Sequence, residues 1–124
     1  MTTIILIVLA AFFNSVMDMI KHHWHDSKFA KINNNFLWNF FSRYGWQNKY
    51  IGGDYKNGRK RLWGIKIHPA FLDAWHLSKS LMIICFILAI VIYKPIVHPV
   101  LDFVMFGLLF NFTFTLFYDI ILRK

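Results

Sequence analysis

The sequence has no glutamate, one cysteine and three prolines among its 124 residues. A single cysteine, Cys85, excludes an intramolecular disulfide framework. The absence of glutamate excludes the HExxH motif of zinc proteases. Charged residues make up only 16% of the chain, which is less than soluble domains usually carry. These absences favour a membrane protein without structural disulfides.

Hydrophobic residues make up 57% of the chain, and 124 residues allow one domain, 1–124. Three apolar runs are long enough to cross a bilayer as helices, at about 3–20, 69–93 and 99–122. The residues before the first run include no Lys or Arg, so we expect a span there rather than a signal peptide. We therefore predict an all-α membrane protein with three transmembrane helices.

The segment 21–68, between the first and second spans, is basic and aromatic. It holds most of the Lys and Arg residues of the chain. One face of a short helix, which Asn34 or Asn35 can cap, fits the spacing of Phe36, Leu37, Phe40, Phe41 and Tyr44. We predict that this interfacial segment lies among lipid headgroups with its basic residues toward phosphates. The alternative is a small subdomain packed on itself.

Turn signals follow within the same segment. Asn57-Gly58 is typical of a two-residue hairpin turn. The alternation of Trp63, Ile65 and Ile67 with more polar residues predicts a short extended stretch after it. The basic run 59–61 is expected to face lipid rather than nucleic acid, since no groove-reading motif accompanies it.

The distribution of positive charge predicts the orientation. The interfacial segment 21–68 is far richer in Lys and Arg than the connection 94–98 or the C-terminal end. The positive-inside rule then places the N-terminus outside and the interfacial segment and C-terminus in the cytoplasm. The expected partner is a bilayer with anionic headgroups, and no nucleic acid is expected.

With the exception of Asp102, the polar residues concentrate in the cytoplasmic half of all three predicted spans. On one continuous helix, Asn14, Asp18, His22 and His25 would fall within an arc of roughly 80°. An ionisable side chain at mid-membrane costs on the order of 3 kcal/mol, so such groups are expected to face one another. We therefore predict a pocket open to the cytoplasm. Its polar wall is assigned to Asn14, Asn111, Thr115 and Asp119.

The pocket offers three kinds of chemistry. Carboxylate and imidazole groups at i, i+3 and i, i+4 spacing suit zinc, iron or manganese. The predicted metal ligands are Asp18, His22, His25, Asp73 and His76. The predicted catalytic acid–base groups are Asp18, Asp73 and His76. The predicted contacts to an anion or lipid headgroup are Lys49, Arg59, Arg61 and Lys79.

Three functions remain open at this point. The first is a metal-dependent enzyme that acts on a lipid or lipid-linked phosphate. The second is a non-catalytic membrane subunit or interaction protein, in a homo-oligomer or larger complex, whose polar residues only hold the helices together. The third is a small phage-type pore former or a proton-relay protein.

Four motifs resemble a family of small, uncharacterised membrane proteins of bacteria and their phages. They are Phe13–Asp18, Phe36–Asn39, Ser42–Tyr50 and Asp73–Lys79. In this chain Arg43-Tyr44-Gly45 separates the Ser from the Trp, which are adjacent in the family pattern. The resemblance covers about residues 13–82, implies a bacterial cytoplasmic membrane and carries no activity. It groups Asn14, Asp18, Trp46, Asn48, Asp73 and His76 as one constellation.

Overall fold

The computed structural model describes residues 1–123, so Lys124, which belongs to the predicted domain, lies outside the described residues. The elements in chain order are α1 (Thr2–His22), α2 (Asn35–Phe41), β1 (Arg61–Leu62), β2 (Ile65–Lys66), α3 (Ala74–Val91) and α4 (Pro99–Thr115), which continues as a π-helical segment (Leu116–Ile121). Three helices are long and apolar enough to cross a membrane, namely Thr2–His22, Ala74–Val91 and Pro99–Ile121. The predicted all-α fold with three spans is confirmed.

Helix α1 is the centre of the bundle and packs against both α3 and α4. Of its fully buried residues, Ala10, Ala11 and Ser15 are small, and Met19 is the large one. The buried residues of α3 are small as well, namely Ala74, Ser78, Cys85 and Ala89. Apolar burial does not drive helix association inside a bilayer, so close approach of backbones through small residues has to supply the contact.

Helices α3 and α4 meet mainly through aromatic rings. Phe86 stacks on Phe110 with ring centroids 5.7 Å apart, and Tyr93 meets Phe106 edge-on at 6.1 Å. In the most apolar 18-residue stretch of each span, the buried share is 39% for the first span, 22% for the second and 11% for the third. Helix α4 is therefore the least covered of the three. Most of the surface of α4 is therefore open to lipid or to another protein.

The C-terminal end of α1 differs from the sequence prediction. The helix ends at His22 and the chain turns at His23. Trp24 is buried there, and its indole N–H donates to the carbonyl oxygen of Phe41 at 2.9 Å. This anchoring diverts the chain from the helix axis. His25 lies in the following 3₁₀ turn, so the prediction that it continues the α1 column is wrong.

Helix α3 begins later than the proline signal indicated. Pro69 starts a separate 3₁₀ turn that ends at Phe71. Asp73 then forms the N-cap of α3, because its Oδ1 accepts the backbone N–H of His76 at 2.9 Å. The predicted start of the second span at Pro69 is therefore wrong, and Asp73 lies at the end of the helix rather than within it.

The loop segment, residues 23–73, packs partly on the bundle. Helix α2 is capped as predicted, because Asn34 Oδ1 accepts the N–H of Leu37 at 3.0 Å. Phe40 and Phe41 pack against the buried core at this end of the bundle, which we call the loop-rich end. Phe36 stays 76% exposed. Helix α2 thus turns one edge to the bundle and leaves the other uncovered.

The opposite end of the bundle is closed by one buried carboxylate. Asp102 has no exposed surface and accepts the hydroxyl of Tyr93 at 2.8 Å. It also accepts the backbone N–H groups of Ile96 at 2.7 Å and Val97 at 3.2 Å. Three donors from the connection between α3 and α4 therefore converge on the first turn of α4.

Candidate functional site

Asp73 and His76 form a hydrogen-bonded pair at the loop-rich end. Asp73 is 1% exposed, and its Oδ2 lies 2.6 Å from Nδ1 of His76. The His76 side chain is 24% exposed. Because Nδ1 is engaged by the carboxylate, Nε2 is the ring nitrogen that remains for a ligand. The geometry is compatible with general acid–base chemistry, and it brings two of the predicted catalytic residues together.

Gly45 and Asn48 hold the loop segment against this pair. A methyl group at Gly45 would lie 3.0 Å from Cβ of Asp73 and 3.1 Å from the carbonyl oxygen of Asn39, so the backbone passes very close to the carboxylate. Asn48 Nδ2 donates to the carbonyl oxygens of Leu72 at 3.0 Å and Asn39 at 3.3 Å. The amide therefore ties α2 to the residue that precedes Asp73.

A cleft of about 550 Å³ opens next to the pair. Its walls come from the end of α1, the chain that follows α2 and the first turn of α3. The lining residues are Ile20, Lys21, His22, Ser42, Arg43, Trp46 and Trp75. Three of these side chains are basic or can be protonated, and no carboxylate lines this cleft in the described part of the chain. We call it the basic–aromatic cleft.

Each indole of the cleft has a lysine ammonium over its ring. Lys49 Nζ lies 5.9 Å from the ring centroid of Trp46 and 5.2 Å from that of Tyr50. Lys79 Nζ lies 5.2 Å from the ring centroid of Trp75. These distances are typical of cation–π contacts. Two of the predicted anion contacts, Lys49 and Lys79, are therefore placed against the cleft walls.

Trp75 connects the cleft with the Asp73–His76 pair. The ring of His76 meets that of Trp75 edge-on, with centroids 4.9 Å apart. Asp73 fixes the start of α3 and the imidazole together, so it also fixes the position of this indole. A substitution of Asp73 should therefore change the position of Trp75 in the cleft.

The polar column of α1 divides between two environments. His22 is exposed and lines the cleft, whereas Asn14 and Asp18 are half-buried deeper in the span. Asp18 lies within electrostatic reach of the Tyr118 hydroxyl on the π-helical segment. The ring of His23 also packs edge-on against Tyr118, at 5.8 Å. This end of α1 therefore lies close to the end of α4.

The five predicted metal ligands are not assembled into a site. Within residues 1–123, no group of three or more His, Cys, Asp or Glu side chains is placed to hold a metal ion. Asp73 and His76 are bonded to each other, and His25 lies beyond the end of α1. This arrangement of donors does not fit the predicted zinc, iron or manganese site.

Asn111, Thr115 and Asp119 point away from the bundle, whereas Asp102 and Thr113 are the buried polar residues of α4. Asn111 and Thr115 are exposed, and at about 100° per residue Asn111 lies roughly opposite the buried Asp102 on the helix. The Asn111 side-chain amide donates to Gly107 of its own helix at 3.0 Å. Asp119 is exposed and 3.7 Å from Arg123. These residues therefore form no common pocket with Asp73 and His76, contrary to the sequence expectation.

Arg59 and Arg61, the other predicted anion contacts, lie in the loop segment away from the cleft lining. Arg61 is exposed in β1. Arg59 is half-buried and forms an isolated β-bridge with Tyr50. Its buried Nε has no hydrogen-bond partner among residues 1–123. Neither guanidinium completes the cleft.

Sequence reasoning missed Lys21, Ser42, Arg43 and Trp75 as members of one site. Three separated stretches of the chain contribute these residues, so no local spacing reveals them. The available signal was the set of motifs quoted above, which includes Arg43, Trp46 and Trp75. Models of protein families, curated proteins and solved structures were all compared with this chain, and none of them matches it.

Proposed function

We propose that this protein is an integral membrane protein whose basic–aromatic cleft binds the phosphate-bearing headgroup of an anionic lipid. One observation carries the proposal: Lys21, His22 and Arg43 line a single cleft that has no carboxylate among its described lining residues. Lys and Arg bind phosphate oxygens through charge-assisted hydrogen bonds. A cleft with this surplus of positive charge favours an anion.

The position of the cleft favours a lipid over a soluble anion. Lys21 and His22 are the last residues of the first span, and Trp75 lies in the first turn of the second. Basic residues and indoles at the ends of spans lie at headgroup depth. A phosphate held there can keep its acyl chains in the neighbouring bilayer.

Charge also supports the orientation. The loop segment carries most of the Lys and Arg residues, which the positive-inside rule assigns to the cytoplasm of a bacterial cell. The cytoplasmic leaflet is rich in anionic lipid. In this orientation the cleft faces the leaflet that supplies its ligand.

Binding without turnover is the function that the described geometry favours. Asp73 is engaged in capping α3 and in holding His76, and both tasks position Trp75. Catalytic roles for Asp18, Asp73 and His76 stay predictions. The described donors do not favour the metal-dependent version.

The test is a binding titration of the detergent-solubilised protein with short-chain phosphatidate, followed by tryptophan fluorescence. We expect phosphatidate to bind and phosphatidylcholine of the same chain length to bind at least tenfold more weakly. Arg43→Gln and Lys21→Gln should each weaken phosphatidate binding about tenfold, because each removes a charge-assisted contact. Lys56→Gln is the matched control, since it removes one positive charge outside the cleft lining.

Equal weakening by Arg43→Gln and by Lys56→Gln would contradict a specific cleft and leave only general electrostatic attraction. Competition by inorganic phosphate separates the two sources of the anion. If inorganic phosphate displaces the lipid at equal concentration, the ligand is a free phosphate rather than a lipid headgroup.

A further inference from the structure

The loop segment carries a small β-hairpin that no other part of the described chain covers. Strands β1 and β2 pair in the register Arg61↔Lys66 and Leu62↔Ile65, with Trp63-Gly64 as the turn. The sequence predicted extended structure here, although it placed the tight turn at Asn57-Gly58. Two-stranded hairpins are marginal on their own in water, so an uncovered one needs a further contact to be well ordered.

One face and the tip of this hairpin are apolar and exposed. Leu62 and Ile65 are cross-strand partners and are 57% and 73% exposed. Trp63 is 92% exposed at the tip. Its backbone is in the left-handed region at φ 48°, where Asn or Gly would fit with less strain. The turn thus presents a large indole to the surroundings at a conformational cost.

The other face of the hairpin is basic. Arg61 and Lys66 lie directly opposite each other, and like charges in this relation repel. Lys60, just before β1, is exposed as well, although strand alternation places it on the side of Leu62 and Ile65. The stretch 59–72 contains no acidic residue. The chain itself therefore supplies no local counter-charge. A surface with negative charges would relieve this repulsion.

We infer that the hairpin inserts into the headgroup region of an anionic bilayer. Trp63, Leu62 and Ile65 enter the boundary between headgroups and acyl chains, while Arg61 and Lys66 contact phosphates. The loop segment starts at the end of α1 and returns to the start of α3, so both of its ends lie on one side of the membrane. The hairpin reaches the bilayer of its own spans from that side.

This contact is separate from the basic–aromatic cleft. None of the hairpin residues lines the cleft, and the hairpin needs only a charged surface rather than a defined headgroup. A protein partner would have to match an apolar tip with a carboxylate-bearing surface around it. A bilayer already provides an apolar interior beneath a layer of charged headgroups, and the spans hold the loop segment next to it.

The test places an environment-sensitive NBD label at Trp63→Cys in a Cys85→Ala background, with one protein per nanodisc. In discs containing phosphatidylglycerol we expect blue-shifted emission and quenching by lipids that carry a nitroxide on the acyl chain. Each basic residue near an anionic surface is worth roughly a fivefold change in partitioning. Arg61→Gln together with Lys66→Gln should therefore lower the equilibrium constant for insertion roughly 25-fold.

Two controls make the outcome decisive. A label at Asn57→Cys, in the exposed neighbouring turn, should remain in water. Arg43→Gln should leave the signal at position 63 unchanged, although it weakens phosphatidate binding in the cleft. The inference is overturned if the label at position 63 behaves like the label at position 57. It is also overturned if shielding requires two proteins per disc or if the double charge removal leaves the insertion constant unchanged, since protein contact would then explain it.

Discussion

The two ends of the bundle each bury a carboxylate, and the two carboxylates do different work. At the opposite end, Asp102 accepts donors of the adjacent α3–α4 connection, among them the backbone N–H groups of Ile96 and Val97 and the Tyr93 hydroxyl. Asp73 at the loop-rich end accepts a backbone N–H and holds an imidazole that is itself partly exposed. The first network is closed, and the second leads outward to a ring beside an open cleft.

The comparison shows that burial of an acid in a membrane protein does not by itself identify a functional site. Intramembrane ionisable residues are commonly functional, yet Asp102 only holds the short α3–α4 connection in place. We call this set of hydrogen bonds to Asp102 the latch. What distinguishes Asp73 is its surroundings: a titratable partner, an indole and a cleft lined by basic residues. The predictions below separate the two ends by stability and by lipid binding.

The largest effect is expected from Asp102→Ala. The substitution leaves three converging donors without their acceptor, so the midpoint of thermal unfolding should fall by about 10 °C. Phosphatidate affinity of the protein that remains folded should not change, because the latch lies at the other end. Asp73→Ala is the matched comparison, with a smaller loss of about 5 °C and weaker phosphatidate binding. A reversed pattern would break the distinction between the two ends.

A medium effect is expected from Gly45→Ala. The added methyl group meets Cβ of Asp73 and two backbone carbonyl oxygens at 3.0–3.1 Å, and backbone atoms cannot move aside cheaply. We expect a loss of about 1–3 kcal/mol in the free energy of unfolding, together with weaker lipid binding. Gly107→Ala is the control, since a methyl group there meets no atom within 4 Å. Unchanged stability in Gly45→Ala would show that the loop segment is not held tightly against α3.

The smallest effect is a pH dependence at the opposite end. Burial, and after it the hydrogen bond and charge of Asp102, raise the pKa of Tyr93 above its ordinary value of 10.0. A raised pKa means that the protonated hydroxyl stabilises the folded state. This stabilisation is complete below pH 10 and is lost as the pH rises through the raised pKa.

Thermal unfolding followed from about pH 9 to about pH 11 measures this contribution. The midpoint of the wild-type protein should fall more steeply over this interval than that of Tyr93→Phe. Tyr55→Phe, at a position that is 68% exposed, serves as the control for the other tyrosines. Parallel curves for wild type and Tyr93→Phe would mean that the hydroxyl contributes nothing to the latch.

The spans and their approximate bounds were predictable from the sequence, because long apolar runs between polar stretches leave few alternatives in a bilayer. Asn34 as the cap of α2 was predictable too, since capping is a local interaction. The end of α1 was not, because it depends on the contact between Trp24 and Phe41 in a later segment. The residue at which α3 begins was predicted wrongly, because Pro69 and Asp73 both suit a helix start. Tertiary packing selects Asp73 as the N-cap.

The candidate site was harder to predict than the fold. Asp73 and His76 were recognisable from their spacing, but the basic–aromatic cleft combines the ends of two spans with a loop. The faces of α4 were also misjudged. Polar residues were expected to turn inward. The side-chain amide of Asn111 instead donates a hydrogen bond to the carbonyl oxygen of Gly107, so this side chain can point outward. The spacing of polar residues shows that they share one face of a helix. Only packing decides whether that face points into the bundle or away from it.

The central position of α1 bears on how the protein is made. This helix precedes both of its packing partners in the chain, and the whole loop segment has to be synthesised before α3 can enter the membrane. Until then, Ser15 and Met19 have none of the helix contacts that bury them in the finished bundle. Assembly of the bundle must follow insertion of the spans, and a nascent chain stalled in the loop segment would expose its future core to the insertion machinery.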